Sequence, residues 1–162
     1  MNLPLFCYGT LLDVDMLACV VGETAAAAVT METGWLAGYR KARLPHENYP
    51  LLVPEAESFA QGALLYGLQK PQIDRIVFFE GEEYELSPCK VKTEGSKTVD
   101  ALFFDEGIMP PPRTEEWCLA HWQKHHKQFM IRQSREYMSY YGLMSAVEAD
   151  IHWQNYQEQT GD

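Results

Sequence analysis

The stretch L-P-L-F-C-Y-G-T-L-L, residues 3–12, opens as a strand and runs at once into helix-forming residues. Leu3, Leu5 and Cys7 alternate with Phe6 and Tyr8, the two-residue period of a buried strand. Gly9 lets the chain turn, and Thr10 and Leu11 lead into a helix start. The first turn of a helix has no internal acceptors, so such a junction leaves several N–H groups unpaired. Gly9 permits close approach and Thr10 adds a hydroxyl. The junction is therefore either plain architecture or a cradle for a carboxylate or other small anion.

Outward from it the pattern is mixed. Asp13 caps a short helix with apolar Val14, Leu17, Ala18 and Val21, and Gly22 ends it. Alanines at 25–28 suit a helix but lack punctuation. Residues 35–40 read as a strand, and Glu47-Asn48-Tyr49-Pro50 as a turn into a strand at 51–53. Residues 54–58 read as a hairpin connection and 61–68 as the returning strand. Pro71 opens a helix that runs to Glu80 and stops at Gly81. Residues 84–92 and 99–104 alternate again.

Pro110-Pro111-Pro112 is a rigid break. Beyond it, 114–141 holds no proline or glycine, with Cys118, Trp122, Phe129, Met130 and Tyr137 at helical spacing. One long helix is expected there, with Thr114 as N-cap, Glu115 and Glu116 in its first turn, and Gly142 at its end. Ser145 and Glu148 have capping-box spacing and start a second helix, with Val147, Asp150 and Ile151 following. The fold class expected is α+β: a small mixed β-barrel body at 1–108, and a helical segment at 109–162 packed on the same domain.

Composition narrows the function. A chain of 162 residues is most naturally one domain with a sizeable core. No apolar run approaches the ~20 residues of a bilayer span, and the first residues lack the basic region of a signal peptide. Cys7, Cys19, Cys89 and Cys118 show no paired spacing and read as reduced thiols of a cytoplasmic protein. The formal charge of −10 argues against nucleic acid.

Glu80 is the informative residue. On a 3.6-residue period it falls on the stripe of Ile73, Ile76 and Val77, with Phe78 and Phe79 widening the apolar surround. An unpaired carboxylate on a buried face is strongly disfavoured. Two explanations stay open: a structural pair with Arg40 or Arg43, or a general acid/base whose pKa burial raises.

Other candidates read as architecture. His121, His125 and His126 could form a metal pair, but no H-E-x-x-H pattern accompanies them, so a solvated or partly packed histidine face is expected. Cys7 could be a nucleophile but suits a packed core thiol better. Trp117, Trp122, Phe129, Tyr137 and Tyr140 suit core or interface rather than base stacking. Glu82, Glu83 and Glu85 form a solvated charge run with no metal-loop spacing.

Tyr8-Gly9-Thr10-Leu11, Gly38-Tyr39-Arg40, Tyr49-Pro50, Gly62 with Leu65-Tyr66, and Phe79-Glu80-Gly81 with Tyr84 occur in an ordered set. In that order and spacing the chain resembles the γ-glutamylcyclotransferase superfamily, nearest the γ-glutamylamine cyclotransferase and avirulence-induced-gene-like branch, over roughly residues 3–104. The resemblance implies a small mixed barrel with flanking helices. It implies that Tyr8, Gly9, Thr10 and Leu11 hold the substrate and that Glu80 is the proton acceptor. The implied reaction closes the γ-glutamyl group of an amide or peptide to 5-oxoproline and releases an amine, with no metal or organic cofactor. The partner is then a small γ-glutamyl molecule, with no nucleic acid and no membrane. Ile76-Val77 and Leu86 depart from the usual pattern, which has Leu-Asp and an arginine there. The helical segment lies outside the resemblance: a lid, a homodimer surface or a packing extension. A non-catalytic binding module of the same fold, or an interaction protein working through those helices, are the alternatives.

Overall fold

In the computed structural model the alternation at the start becomes a three-residue strand, β1 (Leu5–Cys7), buried throughout. The structure describes residues 3–43, 50–81, 85–105 and 117–160. After β1 come a 3₁₀ turn (Thr10–Leu12), α1 (Val14–Val21), α2 (Glu23–Ala27), β2 (Thr30–Arg43), β3 (Pro50–Tyr66) and α3 (Lys70–Glu80). Next are β4 (Glu85–Thr93), β5 (Thr98–Asp105), α4 (Leu119–His125), α5 (Lys127–Met138) and α6 (Ala146–Thr160).

The strands close into a barrel in the order β1-β3-β2-β4-β5. All pairs are antiparallel except the closing one, where Leu5 faces Leu102 in parallel register. Both faces of β1 are covered, which is why no residue of it is exposed. Phe6 joins Leu36, Ala60, Leu64, Val91, Ala101 and Phe103 in one cluster. Leu5 and Cys7 join a second with Leu17, Ile76, Phe104, Tyr137 and Ala149, beneath the helices. The C-terminal helices thus share a core with the barrel. Gly62 is required at this packing: a Cβ there would lie 2.2 Å from the Cys7 carbonyl oxygen.

Several local expectations change. Residues 54–58 are not a hairpin connection, because β3 continues through them from Pro50 to Tyr66. The register jumps from Ala37 opposite Phe59 to Tyr39 opposite Pro54, so Glu55 to Ser58 form a bulge. Pro54 resumes the ladder at the edge of that bulge, opposite Tyr39. The expected turn at 47–49, the break at 110–112, and the caps at 114–116 lie outside the described residues.

The expected long helix is two, α4 and α5, parted at His126 (φ −127°). No proline or glycine marks that break. Asp13 caps α1 as expected, and Gly22 ends it at φ 96°. Its buried residues are Met16, Leu17, Val20 and Val21, whereas Val14 is exposed. The Ser145–Glu148 capping box forms, each N–H bonding the other's side chain at 3.2 Å. In α6, Ala149 is buried while Val147 and Ile151 are exposed.

Candidate active site

The turn after β1 is held from three sides. The Tyr8 hydroxyl donates to the Phe104 carbonyl at 2.8 Å, tying the turn to β5. Gly9 lies against Pro50, where a Cβ would come within 2.9 Å of the proline ring. Thr10 and Leu11 are buried. The Leu12 and Asp13 N–H groups close the turn on the Gly9 and Thr10 carbonyls at 3.1 and 3.0 Å. Among the described residues, the N–H groups of Gly9, Thr10 and Leu11 have no protein acceptor. These donors fit a carboxylate or an oxyanion.

Glu80 is the last residue of α3. Gln69 and Gln72 form a capping box at the helix start, Pro71 sits in its first turn, and Gly81 ends it at φ 87°. Ile76 is fully buried and Phe78 nearly so. Val77 departs from the stripe read in the sequence: it is 43% exposed and turns outward. Glu80 is half-buried. Its charge is felt at the Cys7 thiol, which burial first and then the Glu80 carboxylate push well above the ordinary thiol range. The last residue of α3 and the residue that opens the turn are therefore electrostatic neighbours.

Cys7 is buried in the core cluster with Leu5, Leu17 and Ile76, which suits a packed core thiol. Arg40, one of the two arginines considered for Glu80, lies 3.5 Å from Glu55. The side chain of Arg43, and residues 82–84, fall outside the described residues. Leu86 is partly buried against the outer core, opposite Phe104. His121 and His125 stack with centroids 4.4 Å apart on an exposed face. Among the described residues, no three His, Cys, Asp or Glu side chains converge to hold a metal. Trp117, Trp122 and Tyr137 are buried core aromatics and Tyr140 packs against that core, whereas Phe129 is partly buried with Arg132 over its ring.

Two contributors escaped the sequence reading. Pro50 was legible as a turn residue, but its packing on Gly9 comes from a strand some forty positions away. Asp13 was legible as a cap, but its side chain also accepts from Gln123 at 2.8 Å and Lys127 at 2.9 Å. Nothing local announces those partners.

The architecture is thus a closed five-stranded mixed barrel with flanking helices. The chain belongs to the gamma-glutamyl cyclotransferase, AIG2-like family, whose model matches residues 5–134, well into α5. It is 24% identical to AIG2-like protein A of Arabidopsis thaliana over 135 residues, 82% of this chain and 79% of that one. AIG2-like protein B of the same plant is 23% identical over 136 residues, 83% of this chain and 77% of that one. A solution structure of an Arabidopsis thaliana protein shares the fold at TM-score 0.62 and 21% identity, covering 86% of this chain and 84% of that one. A crystal structure of an uncharacterized Pyrococcus horikoshii protein does so at TM-score 0.51 and 17% identity, covering 78% and 98%.

Proposed function

We propose that the protein is a γ-glutamylcyclotransferase that converts the γ-glutamyl group of an amide or peptide to 5-oxoproline and releases an amine. The observation that carries this reading is the effect of the Glu80 charge on Cys7, the β1 residue that leads into the turn, beside the N–H groups of residues 9–11. The N–H groups of Gly9 to Leu11 hold the substrate α-carboxylate and steady the oxyanion. Glu80 takes a proton from the α-ammonium. The freed amine attacks its own γ-carbonyl carbon, and the new C–N bond leaves a tetrahedral oxyanion. As that collapses, the old C–N bond breaks and Glu80 returns its proton to the departing amine. The ring nitrogen gives its remaining extra proton to the Glu80 carboxylate so freed, which passes it to the released amine. The nucleophile is tethered, so fixing the cyclising conformer supplies much of the acceleration. The thiols suit a cytoplasmic setting.

The test is 5-oxoproline release from a γ-glutamyl dipeptide, a γ-glutamyl-lysine and a γ-glutamyl polyamine. Glu80→Gln keeps the shape but removes the base, and should lower kcat by at least ~100-fold. A variant that turns over at the parental rate rules out the assigned role.

A further inference from the structure

The network around Asp13 has no part in the chemistry above. One carboxylate oxygen accepts from the N–H groups of Asp15 and Met16 at 3.0 and 3.1 Å, the capping bonds of α1. The other accepts from Gln123 of α4 at 2.8 Å and Lys127 of α5 at 2.9 Å. Lys127 also lies 2.8 Å from Asp15. Asp13 is 3% exposed, and its own N–H closes the 3₁₀ turn on the Thr10 carbonyl.

Capping alone does not explain this. A serine would cap α1 as well as an aspartate, and one oxygen already does so. The second oxygen is given over to side chains more than a hundred positions away. Lys127 is also the first residue of α5, where the helix dipole disfavours a cation. The two carboxylates of α1's start offset that. Gln123 and Lys127 are four apart and meet the same carboxylate, so α4 and α5 act on it together.

We propose that Asp13 is a positioning residue for the substrate turn, and that α4 and α5, through Gln123 and Lys127, strap the turn into its binding geometry. The inference rests on reading residues 8–11 as the glutamyl-binding segment. It gives the C-terminal helices a function in the reaction that does not require a second copy of the chain.

The experiment combines steady-state kinetics with amide hydrogen exchange on the full chain. Lys127→Met should raise KM about tenfold as the hold on the substrate carboxylate loosens, with a smaller fall in kcat from the weaker hold on the oxyanion. Exchange at Leu12 and Asp13, whose N–H groups close the turn, should quicken about tenfold while β4 and β5 keep parental rates. Lys127→Arg should restore both. Asp13→Ser, still a capping residue, should repeat the effect, and adding Lys127→Met to it should cost nothing more. Parental KM and exchange in Lys127→Met overturn the proposal. So does exchange raised evenly across the barrel, the mark of a merely structural pair. A parent enzyme with no activity refutes the cyclotransferase reading alone, and the exchange comparison still decides the strap.

Discussion

Replacing Gly9 by alanine separates the turn's binding role from its structural one. The added Cβ would lie 2.9 and 3.0 Å from two ring carbons of Pro50, where ordinary contact begins at 3.4 Å. Pro50 is buried and pairs with Arg43 across the ladder, so its ring has little room to retreat. The turn must then move by roughly 0.5 Å, a displacement of the kind overpacked sites absorb at about 1–3 kcal/mol. Alanine also restricts the unfolded chain, returning about 0.4–1 kcal/mol. A net loss of about 1 kcal/mol lowers Tm by about 2–4 °C in a chain this long. Activity suffers more. Misplacement by 1 Å costs about a hundredfold, so half that shift should lower kcat/KM about tenfold. Thermal unfolding and 5-oxoproline release on the same preparation test both numbers. Parental kcat/KM alongside the small Tm drop would refute the claim that this backbone holds the substrate. A Tm drop of tens of degrees would refute the claim that the clash is local.

Tyr8→Phe removes the hydrogen bond to the Phe104 carbonyl and should cost about 1 kcal/mol in urea unfolding. Ile76→Ala empties a fully buried site under α3 and should cost about 2–5 kcal/mol by the same measurement. For Asp13, burial is the largest single influence and raises the carboxyl, but bonds from Gln123, Lys127 and Met16 outweigh it and hold the group below the ordinary carboxylate value. A depressed folded pKa gives stability that is present above the unfolded value of about 4 and lost as pH falls through the folded one. The parent should therefore lose stability between about pH 5 and its acid transition more steeply than Asp13→Ser, and equal slopes would contradict the assignment. The protonated, buried Cys7 thiol should resist alkylation at pH 8 in the native state while exposed Cys118 reacts. Rapid native labelling of Cys7, read by mass spectrometry, would count against its burial in the core.

What the sequence disclosed follows the range over which each signal acts. Asp13 with Gly22, Pro71 with Gly81, and Ser145 with Glu148 are cap signals of a few residues, and their helix ends are where those signals put them. Period-two alternation identified β4 and β5 for the same reason. A 3.6-residue period is coarser. It placed Glu80 on the side of Ile76 but could not tell that Val77, one step round, faces outward, because the width of the buried stripe is set by what packs on it. Pro54 misled because a proline at the edge of a bulge and one in a turn look alike until the partner register is known. The break at His126 carries no local mark. The site itself depends on closure. Parallel pairing of Leu5 with Leu102 brings Phe104 within reach of the Tyr8 hydroxyl, and the same β1 backbone carries Cys7 beneath α3. A glutamate could be assigned to a buried stripe from eleven residues, but its electrostatic meeting with Cys7, seventy-three positions earlier, is a property of the closed barrel. The ordered set of short motifs could point to that meeting only as a pattern, because the forces that bring it about act between strands and not along the chain.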